Sequence, residues 1–498
     1  MLIVAIAVQS IESAQQQILA ALPHADGIEL RLDYLPHLRL AEVSVLRDLC
    51  TLPIIVTLRS RSQGGFYPNT ESQRCKDILA LCALQPDYLD LEYDMPASIV
   101  QSIHERYPAI KLICSYHDFQ ATALDLATLF HRMQGRYFYA YKIATYAQNT
   151  MDALRMLLFV KSVSAQHRIS GLCMGADGVC TRIVGRVMGG MMTYACLDAG
   201  QEVASGQLTL TELLNVYHYR SLNSASRIYA LLGDPVDLSV GHILHNQAMR
   251  YLQKNAIYIK LRIPQADFHS AWALCKDLGF SGMSVTMPLK ETIFAVLDNT
   301  QGDASFIRAA NTVIHEQAQY MGLNTDGLGA MQALMAYTDL KKKTIVILGA
   351  GGAARAIAYA ARQQQAEVIL LNRTLQAAQC IAAEWGCEAY PLSQLHELRS
   401  RYDIIINTLP QRVFFETDIQ SLFHSNVLKP HSIAMDIVYQ PIHTVFLQMA
   451  KQAHCCCIYG YDMYIHQALL QLEGWFCLDQ PQKSALKAHM FRYFIGNQ

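Results

Sequence analysis

KTIVILGAGGAARAIAYAA, residues 343–361, followed by VILLNRT at residues 368–374, is the stretch on which the reading of this chain turns. Thr344–Leu348 is a short apolar run of strand length, and it passes directly into Gly349-Ala350-Gly351-Gly352-Ala353-Ala354. A helix of small residues follows, and a second strand is expected over Glu367–Leu371. This is the G-x-G-x-x-A form of the dinucleotide fingerprint in its strand–turn–helix setting. Gly349 permits the tight turn, Gly351 lets the backbone approach a pyrophosphate, and Ala354 allows the helix to pack closely on the strand. Ala350, Gly352 and Ala353 complete a candidate phosphate cradle at the helix start, where free N–H groups and the positive dipole end lie. The fingerprint begins at residue 349 of 498, so something large precedes it.

That length suggests three domains on a prior of roughly 150 residues each. Apolar residues make up 52% and charged residues 16%, which provides ample core and excludes extended disorder. The formal net charge of −1, without a basic block, argues against nucleic acid as a partner. The 14 cysteines show no C-x-x-C pair and no metal spacing, so reduced thiols and no metal site are expected. Cys455-Cys456-Cys457 reads as a buried core strand. The N-terminal run MLIVAIAVQS lacks a basic flank and a cleavage site and reads as a first strand, and no apolar run is long enough to span a bilayer.

Upstream, strands are expected over Leu2–Val8, Gly27–Tyr34, Pro53–Ser60, Tyr88–Tyr93, Lys111–Phe119, Tyr137–Thr145, His167–Gly175 and Met192–Leu197. Amphipathic segments such as Ile11–Leu22, Ser72–Leu84 and Asn149–Val163 lie between them. This alternation over about 220 residues predicts a (β/α)8 barrel. Residues two apart share a strand face, so Glu29, Arg31 and Asp33 point together, as do Thr57 with Arg59, Asp90 with Glu92, and Ser115 with His117. Buried ion pairs would account for any one of these sets. Together they point to a site at the C-terminal mouth of the barrel, because inward charges are costly unless they pair or react.

Lys142 lies in the apolar, aromatic strand YFYAYKIAT. Such surroundings, with another cation nearby, would disfavour the ammonium and favour a nucleophilic amine. His117, one strand earlier, is a candidate proton shuttle, and Arg31, Arg59 and Arg182 are candidate clamps for a carboxylate or hydroxyls. ELRLD, TLRSRSQGG, SYHDF, YKIAT, MGADGVCTRI and the ASGQ loop, in this order, resemble type I 3-dehydroquinate dehydratase over essentially the whole segment. The resemblance implies that Lys142 forms an imine with the C3 ketone of 3-dehydroquinate. It also implies that His117 removes the C2 proton and helps expel the C1 hydroxyl, and that Glu29, Arg31, Arg59, Arg182 and Gln207 bind substrate. Two positions depart from the family pattern. Gln63 replaces a glutamate that orients the histidine, and an amide there can hydrogen-bond the imidazole without stabilising its charge. Val203-Ala204-Ser205-Gly206-Gln207 lacks the usual leading serine of the late loop.

A polar junction, His218–Ser226, precedes a renewed alternation: strand Arg227–Gly233, helix Gly241–Lys254, strand Ala256–Ile263, helix Gln265–Leu278 and strand Gly282–Thr286. GDPVDLSVGHILHN, GMSVTMPLKE, RAANTV and GLNTDGLG set small polar residues at strand ends, where open α/β sheets bind ligands. Each also passes for turns and caps, Asp326 included. With the glycine fingerprint these motifs resemble shikimate dehydrogenase over about 270 residues. The resemblance implies that Lys290 and Asp326 are the catalytic pair, and that Ser239, Thr286, Asn311, Tyr439 and Gln467 line the substrate. Leu238-Ser239-Val240-Gly241-His242 lacks one of two carboxylate-binding hydroxyls unless a backbone N–H or His242 replaces it. His242-x-x-His245 also has metal-pair spacing, which the match to this loop outweighs.

NAD enzymes usually carry an acidic residue after the second strand of the fingerprint. This chain has Asn372-Arg373-Thr374, which suits a 2′-phosphate and so NADPH. IIINTLP, DIVYQP and IYGYDMYIHQALLQ resemble the nicotinamide- and substrate-side closures of the same family, with Gly460 a cofactor candidate. The expected architecture is an α/β chain, with a barrel over 1–222, a substrate domain over 223–325, a Rossmann NADP-binding domain over 326–460, and C-terminal helices over 461–498 returning to the substrate domain. The expected function is dehydration of 3-dehydroquinate to 3-dehydroshikimate followed by NADPH reduction to shikimate. The expected setting is cytoplasmic, since no transit peptide is evident, with small-molecule partners and no obligatory protein partner, nucleic acid or membrane. Two alternatives stand: an NAD-linked catabolic quinate or shikimate dehydrogenase fusion, and a non-catalytic sensor or repressor built from these domains.

Overall fold

A computed structural model describes residues 1–416 and 427–496, which divide into two compact units, 1–229 with 253–280 and 230–252 with 281–498. In the first, eight strands form one sheet: β1 (Leu2–Ala7), β2 (Gly27–Arg31), β3 (Ile54–Thr57), β4 (Tyr88–Glu92), β5 (Lys111–His117), β6 (Ala140–Tyr146), β7 (Ile169–Met174) and β8 (Thr193–Ala195). Their order is β7-β6-β5-β4-β3-β2-β1-β8, with every neighbouring pair parallel. The ring closes without a β7–β8 ladder, through Met191 N donating to Ile169 O at 2.7 Å. Several strands are shorter than expected because the chain leaves the ladder where the site begins. Leu32–Tyr34 turns into a 3-10 helix, and β3 stops two residues before Arg59.

Ile3, Ala5, Ile55, Tyr88, Ile113, Ala140, Leu172 and Tyr194 form an apolar floor inside the barrel. The two-residue side-chain period places Thr57, Asp90, Ser115 and Lys142 one step further along the same faces, above that floor. The polar layer is therefore a direct consequence of the apolar one. Side-chain caps start some of the surrounding helices, as where Asn149 accepts from Asp152 N ahead of helix Thr150–Val163. Helix Phe268–Leu278 packs on helix Thr150–Val163, which draws residues 253–280 into this unit. Arg262 of that segment pairs with Asp177 at 2.6 Å.

The second unit holds the ladders formed by Gly282–Val285, Thr312–Glu316, Gln319–Leu323 and Asn299–Thr300. A parallel sheet follows, built from Thr344–Leu348, Glu367–Asn372, Glu388–Pro391, Ile404–Asn407, Ile433–Asp436 and Cys456–Ile458. With these strands numbered one to six in chain order, they lie 3-2-1-4-5-6, so the order reverses beside the glycine turn. Helix Asp326–Met335 packs against helices Gly352–Gln363 and Gly460–Phe476. Its glycines permit this: a Cβ on Gly327 would lie 2.3 Å from Ala356 O, and one on Gly329 2.7 Å from Gln467 Cβ. Trp475 Nε1 donates to Val313 O at 2.9 Å, bringing the last helices onto the smaller sheet.

The cysteine run is a correction. Cys456–Ile458 is a strand, but Cys456 is exposed and Cys455 and Cys457 are only half-buried. This strand lies at the edge of the sheet, where one side lacks a neighbour to cover it.

Candidate active sites

Lys142 sits in the middle of β6, almost fully buried. Its Nζ donates to Glu29 Oε1 at 3.0 Å and to Asp90 Oδ2 at 3.2 Å, and lies 3.9 Å from the centre of the Tyr194 ring. The expected apolar sleeve is thus corrected, while the expected neighbouring cation is present as Arg59, which shares Asp90 with Lys142. The residues beside Lys142 in sequence are apolar, but its lateral contacts come from β2 and β4 and are carboxylates. Arg59 is shared among these strands, pairing through Nη2 with Asp90 at 2.8 Å and through Nη1 with Glu92 at 3.2 Å. It also donates to Ser115 Oγ at 2.8 Å, and that hydroxyl donates to Asp90 Oδ1 at 2.5 Å. Burial opposes ionisation of both Arg59 and Asp90, yet their mutual charges hold Arg59 above and Asp90 well below their usual ranges. Arg31 is engaged by both oxygens of Asp33 at 2.9 Å, so it holds a neighbouring carboxylate and makes no contact with Lys142.

His117 ends β5 two positions beyond Ser115, the partner of Lys142 in the β5–β6 ladder. Its Nδ1 is buried without a hydrogen-bond partner. Burial, then the positive charges of Arg59 and Lys142, hold its pKa well below the ordinary value, so the imidazole is neutral at pH 7 and free to accept a proton. Gln63 does not reach that ring. Its Oε1 accepts from the backbone N of His117 at 3.0 Å, and its Nε2 donates to Asp94 at 3.4 Å. Among the described residues Arg182 has only carbonyl partners, Tyr194 O at 3.4 Å and Ser205 O at 3.5 Å, and its buried Nε has none. Burial pushes its pKa down to about 10. Gln207 accepts from Val203 N at 2.9 Å, and its buried Nε2 also lacks a partner. A guanidinium without a carboxylate, an amide and an imidazole nitrogen thus stand ready for an acidic, polyhydroxylated ligand.

In the second unit Lys290 Nζ lies 2.5 Å from Asp326 Oδ2. Asn311 Nδ2 donates to Asp326 Oδ1 at 2.7 Å, to Thr325 Oγ1 at 3.0 Å and to Gln467 Oε1 at 3.2 Å. Four of the expected residues therefore form one cluster. Ser239 belongs to another: its hydroxyl accepts from Gly241 N at 3.1 Å and is hydrogen-bonded by Tyr439. A backbone N–H and a phenol thus both hold the one hydroxyl of this loop. Thr286 is tied by its backbone N to Leu232 O at 2.8 Å. His245 cannot serve a metal pair as it stands, since Gly241 O at 2.9 Å and Gln471 Oε1 at 3.1 Å occupy both ring nitrogens.

Gln471 is a residue the motifs did not single out. It also accepts from Ser284 Oγ at 2.9 Å and donates to Asn311 O and to Thr312 Oγ1. A signal was present for Gln471, a polar residue one helical turn after Gln467. Asp436, the acid of the DIVYQP motif, accepts from Asn407 Nδ2, Val438 N and Thr444 Oγ1, fixing the loop that carries Tyr439.

Gly349 has φ +112°, and a Cβ there would lie 2.4 Å from Thr408 Oγ1. At Gly351 and Gly352 a Cβ would meet nothing within 4 Å, so the helix Gly352–Gln363 opens onto free space at its N-terminus. Asn372 donates to Thr374 O at 3.0 Å, and Arg373 pairs at the surface with Glu416 at 2.6 Å. The cradle, the dipole and an exposed guanidinium fit a phosphorylated dinucleotide. At Gly460 a Cβ would lie 2.3 Å from Val438 O, so this glycine brings a helix start against the Tyr439 loop.

The chain matches three family profiles, "Type I 3-dehydroquinase" over residues 2–224, "Shikimate dehydrogenase substrate binding domain" over 231–313 and "Shikimate / quinate 5-dehydrogenase" over 331–438. It is 35% identical to the "Shikimate biosynthesis protein AroDE" of Chlamydia pneumoniae, over 93% of this chain and 92% of the relative. It is 30% identical to the chloroplastic "Bifunctional 3-dehydroquinate dehydratase/shikimate dehydrogenase" of Arabidopsis thaliana, over 92% of this chain and 79% of the relative. The crystal structure of shikimate dehydrogenase from Aquifex aeolicus is similar at 30% identity and a TM-score of 0.50, over 54% of this chain and 99% of that one.

Proposed function

The chain belongs to the family of bifunctional 3-dehydroquinate dehydratase–shikimate dehydrogenases, and on that premise we propose that it carries out both reactions, with the domain limits and residue roles expected from its motifs. In the barrel, Lys142 attacks the C3 ketone of 3-dehydroquinate and releases water to give an imine. Glu29 and Asp90 hold the amine, and one of them accepts its proton. His117, neutral because it is buried among cations, takes the C2 proton and returns it to the departing C1 hydroxyl, and a water then hydrolyses the imine to free 3-dehydroshikimate and Lys142. Arg182 meets the substrate carboxylate. The observation that carries this reading is the buried Lys142 beside two carboxylates, with His117 Nδ1, Arg182 Nε and Gln207 Nε2 all lacking partners. Such orphans cost free energy in an unliganded core and are recovered when a ligand pairs with them.

In the second unit, Lys290 donates a proton to the carbonyl oxygen of 3-dehydroshikimate as it is reduced, and Asp326, fixed by Asn311, holds Lys290 in place. Ser239 and Tyr439 bind the acid end, and Asn311 and Gln467 the hydroxyls. NADPH supplies the hydride. The turn from Gly349 to Ala353 holds its pyrophosphate, and Asn372, Arg373 and Thr374 hold the 2′-phosphate. No helix among the described residues is long and apolar enough to cross a membrane, and all 14 cysteines are free, which supports work in a reducing cytoplasm.

The test supplies 3-dehydroquinate and NADPH and follows enone absorbance and NADPH oxidation together. Both signals are expected. Enone formation without oxidation removes the second activity, and silence in both favours a sensor. Oxidation of NADH as fast as NADPH favours the catabolic alternative.

A further inference from the structure

Arg74 lies outside the barrel wall, on helix Glu71–Leu81 between β3 and β4, and yet only 2% of its side chain is exposed. Its Nη1 donates to Glu92 Oε2 at 2.7 Å and to Leu58 O at 2.8 Å. Its Nε and Nη2 hold Glu71 at 2.8 and 2.5 Å, but Glu71 is 58% exposed and screened by water. The other oxygen of Glu92 accepts from Arg59 Nη1 at 3.2 Å and from Ser60 N at 2.9 Å. Ser60 in turn starts the turn whose Gln63 N and Gly65 N both bond to Ser60 O, and Gln63 reaches the backbone of His117. A single guanidinium outside the site therefore anchors the acid that holds Arg59, alongside Asp90 and Ser115, and the start of the turn that reaches the backbone of His117.

Charge makes the same point. Inside the barrel Arg31, Arg59 and Lys142 face Glu29, Asp33, Asp90 and Glu92, three cations against four carboxylates. Arg74 supplies the fourth cation and leaves Arg182, which has no carboxylate partner, to receive an anionic substrate. Without Arg74 a buried carboxylate would be half-compensated beside a site that must accept another.

We infer that Arg74 is a positioning residue for the dehydration, neutralising Glu92 and thereby fixing Arg59 and the turn from Ser60 to Gly65; the inference rests on the reaction proposed for the barrel. Steady-state dehydration is measured for wild type, R74M, R74K, E92Q and R74M/E92Q, with NADPH-dependent reduction by the same chains as an internal check of folding. R74M is expected to lose about 100-fold in kcat/KM, the scale of a misplacement of about 1 Å at a reacting group. R74K, which keeps the charge, recovers at least about tenfold of that loss. R74M/E92Q dehydrates within about threefold of E92Q, because Arg74 has no charge left to balance. R74M within threefold of wild type overturns the inference. So does a double variant as far below E92Q as R74M is below wild type, since that pattern marks a role in helix packing alone. Should R74M lose reduction as well, the comparison of the double variant with E92Q decides. A wild-type chain that does not dehydrate overturns the reaction itself, and the inference with it.

Discussion

Gly349 and Gly351 stand two residues apart in one turn, and the geometry assigns them opposite reasons for being glycine. At Gly349, φ +112° costs a residue with a side chain about 1–2 kcal/mol. The new Cβ would also press to 2.4 Å on the Thr408 hydroxyl, which donates to Leu348 O at 2.7 Å and has no free room to yield. Gly349→Ala should therefore destabilise the second unit by roughly 2–3 kcal/mol, a fall in melting temperature of about 4–10 °C for a unit of this size. At Gly351 the backbone is extended with φ −89°, and an added Cβ touches nothing within 4 Å. Gly351→Ala should thus leave the melting temperature unchanged, within about 0.5 kcal/mol. Its methyl instead fills the space assigned to a pyrophosphate, and NADPH affinity should fall at least about tenfold, or 1.4 kcal/mol. Differential scanning fluorimetry and titration of NADPH fluorescence read the two effects separately, with enone formation by the barrel as the control. A Gly351→Ala chain that binds NADPH like wild type would refute the placement of the phosphates. One that melts like Gly349→Ala would refute the structural distinction.

Three further outcomes are expected. Borohydride added with 3-dehydroquinate should inactivate the dehydratase and leave a reduced adduct on Lys142 by mass spectrometry; an adduct elsewhere would discard the imine at this residue. Lys290→Met should slow NADPH oxidation by about 100- to 10,000-fold while dehydration stays unchanged, the range for loss of a proton-transfer group; a smaller effect would move the proton donor elsewhere. Burial raises the Asp436 pKa from 3.8 to about 6, so the folded state holds its proton more tightly than the unfolded one. This contribution to stability is present below about pH 4 and is lost as pH rises through 6, by up to about 3 kcal/mol. Asp436→Asn should flatten that part of the urea-unfolding profile between pH 4 and 7, and equal slopes in the two proteins would exclude the residue as its source.

Much of the architecture is legible from residue order because burial leaves a periodic trace. The barrel strands alternate an apolar floor with Thr57, Asp90, Ser115 and Lys142, and that alternation is visible without coordinates. What surrounds Lys142 is not. Its sequence neighbours are aromatic and aliphatic, while its contacts, Glu29 and Asp90, lie 113 and 52 residues away and meet it only through strand register. Arg74 reads as an ordinary helical cation, since spacing does not reveal which turn of the helix faces Glu92. The reach of Gln63 to a backbone N–H instead of an imidazole depends on a local 3-10 turn that no side-chain pattern announces. In the second unit the cluster of Lys290, Asn311, Asp326 and Gln467 is legible as motifs. Gln471 escapes notice because a polar residue inside an apolar helix gives no sign of how many partners it has.

The two glycines of helix Asp326–Met335 bear on how the second unit can move. Gly327 and Gly329 bring bare backbone against the helix that starts at the cradle and against the helix that carries Gln467. Contacts of that kind leave little side chain to slide or re-pack, so the three helices are expected to move as one piece. The carboxylate of Asp326 sits at its tip, and the opening to the phosphates lies on the same rigid piece. Flexing that admits or releases ligand is then expected in other connections, with Asp326 and the phosphate cradle moving together.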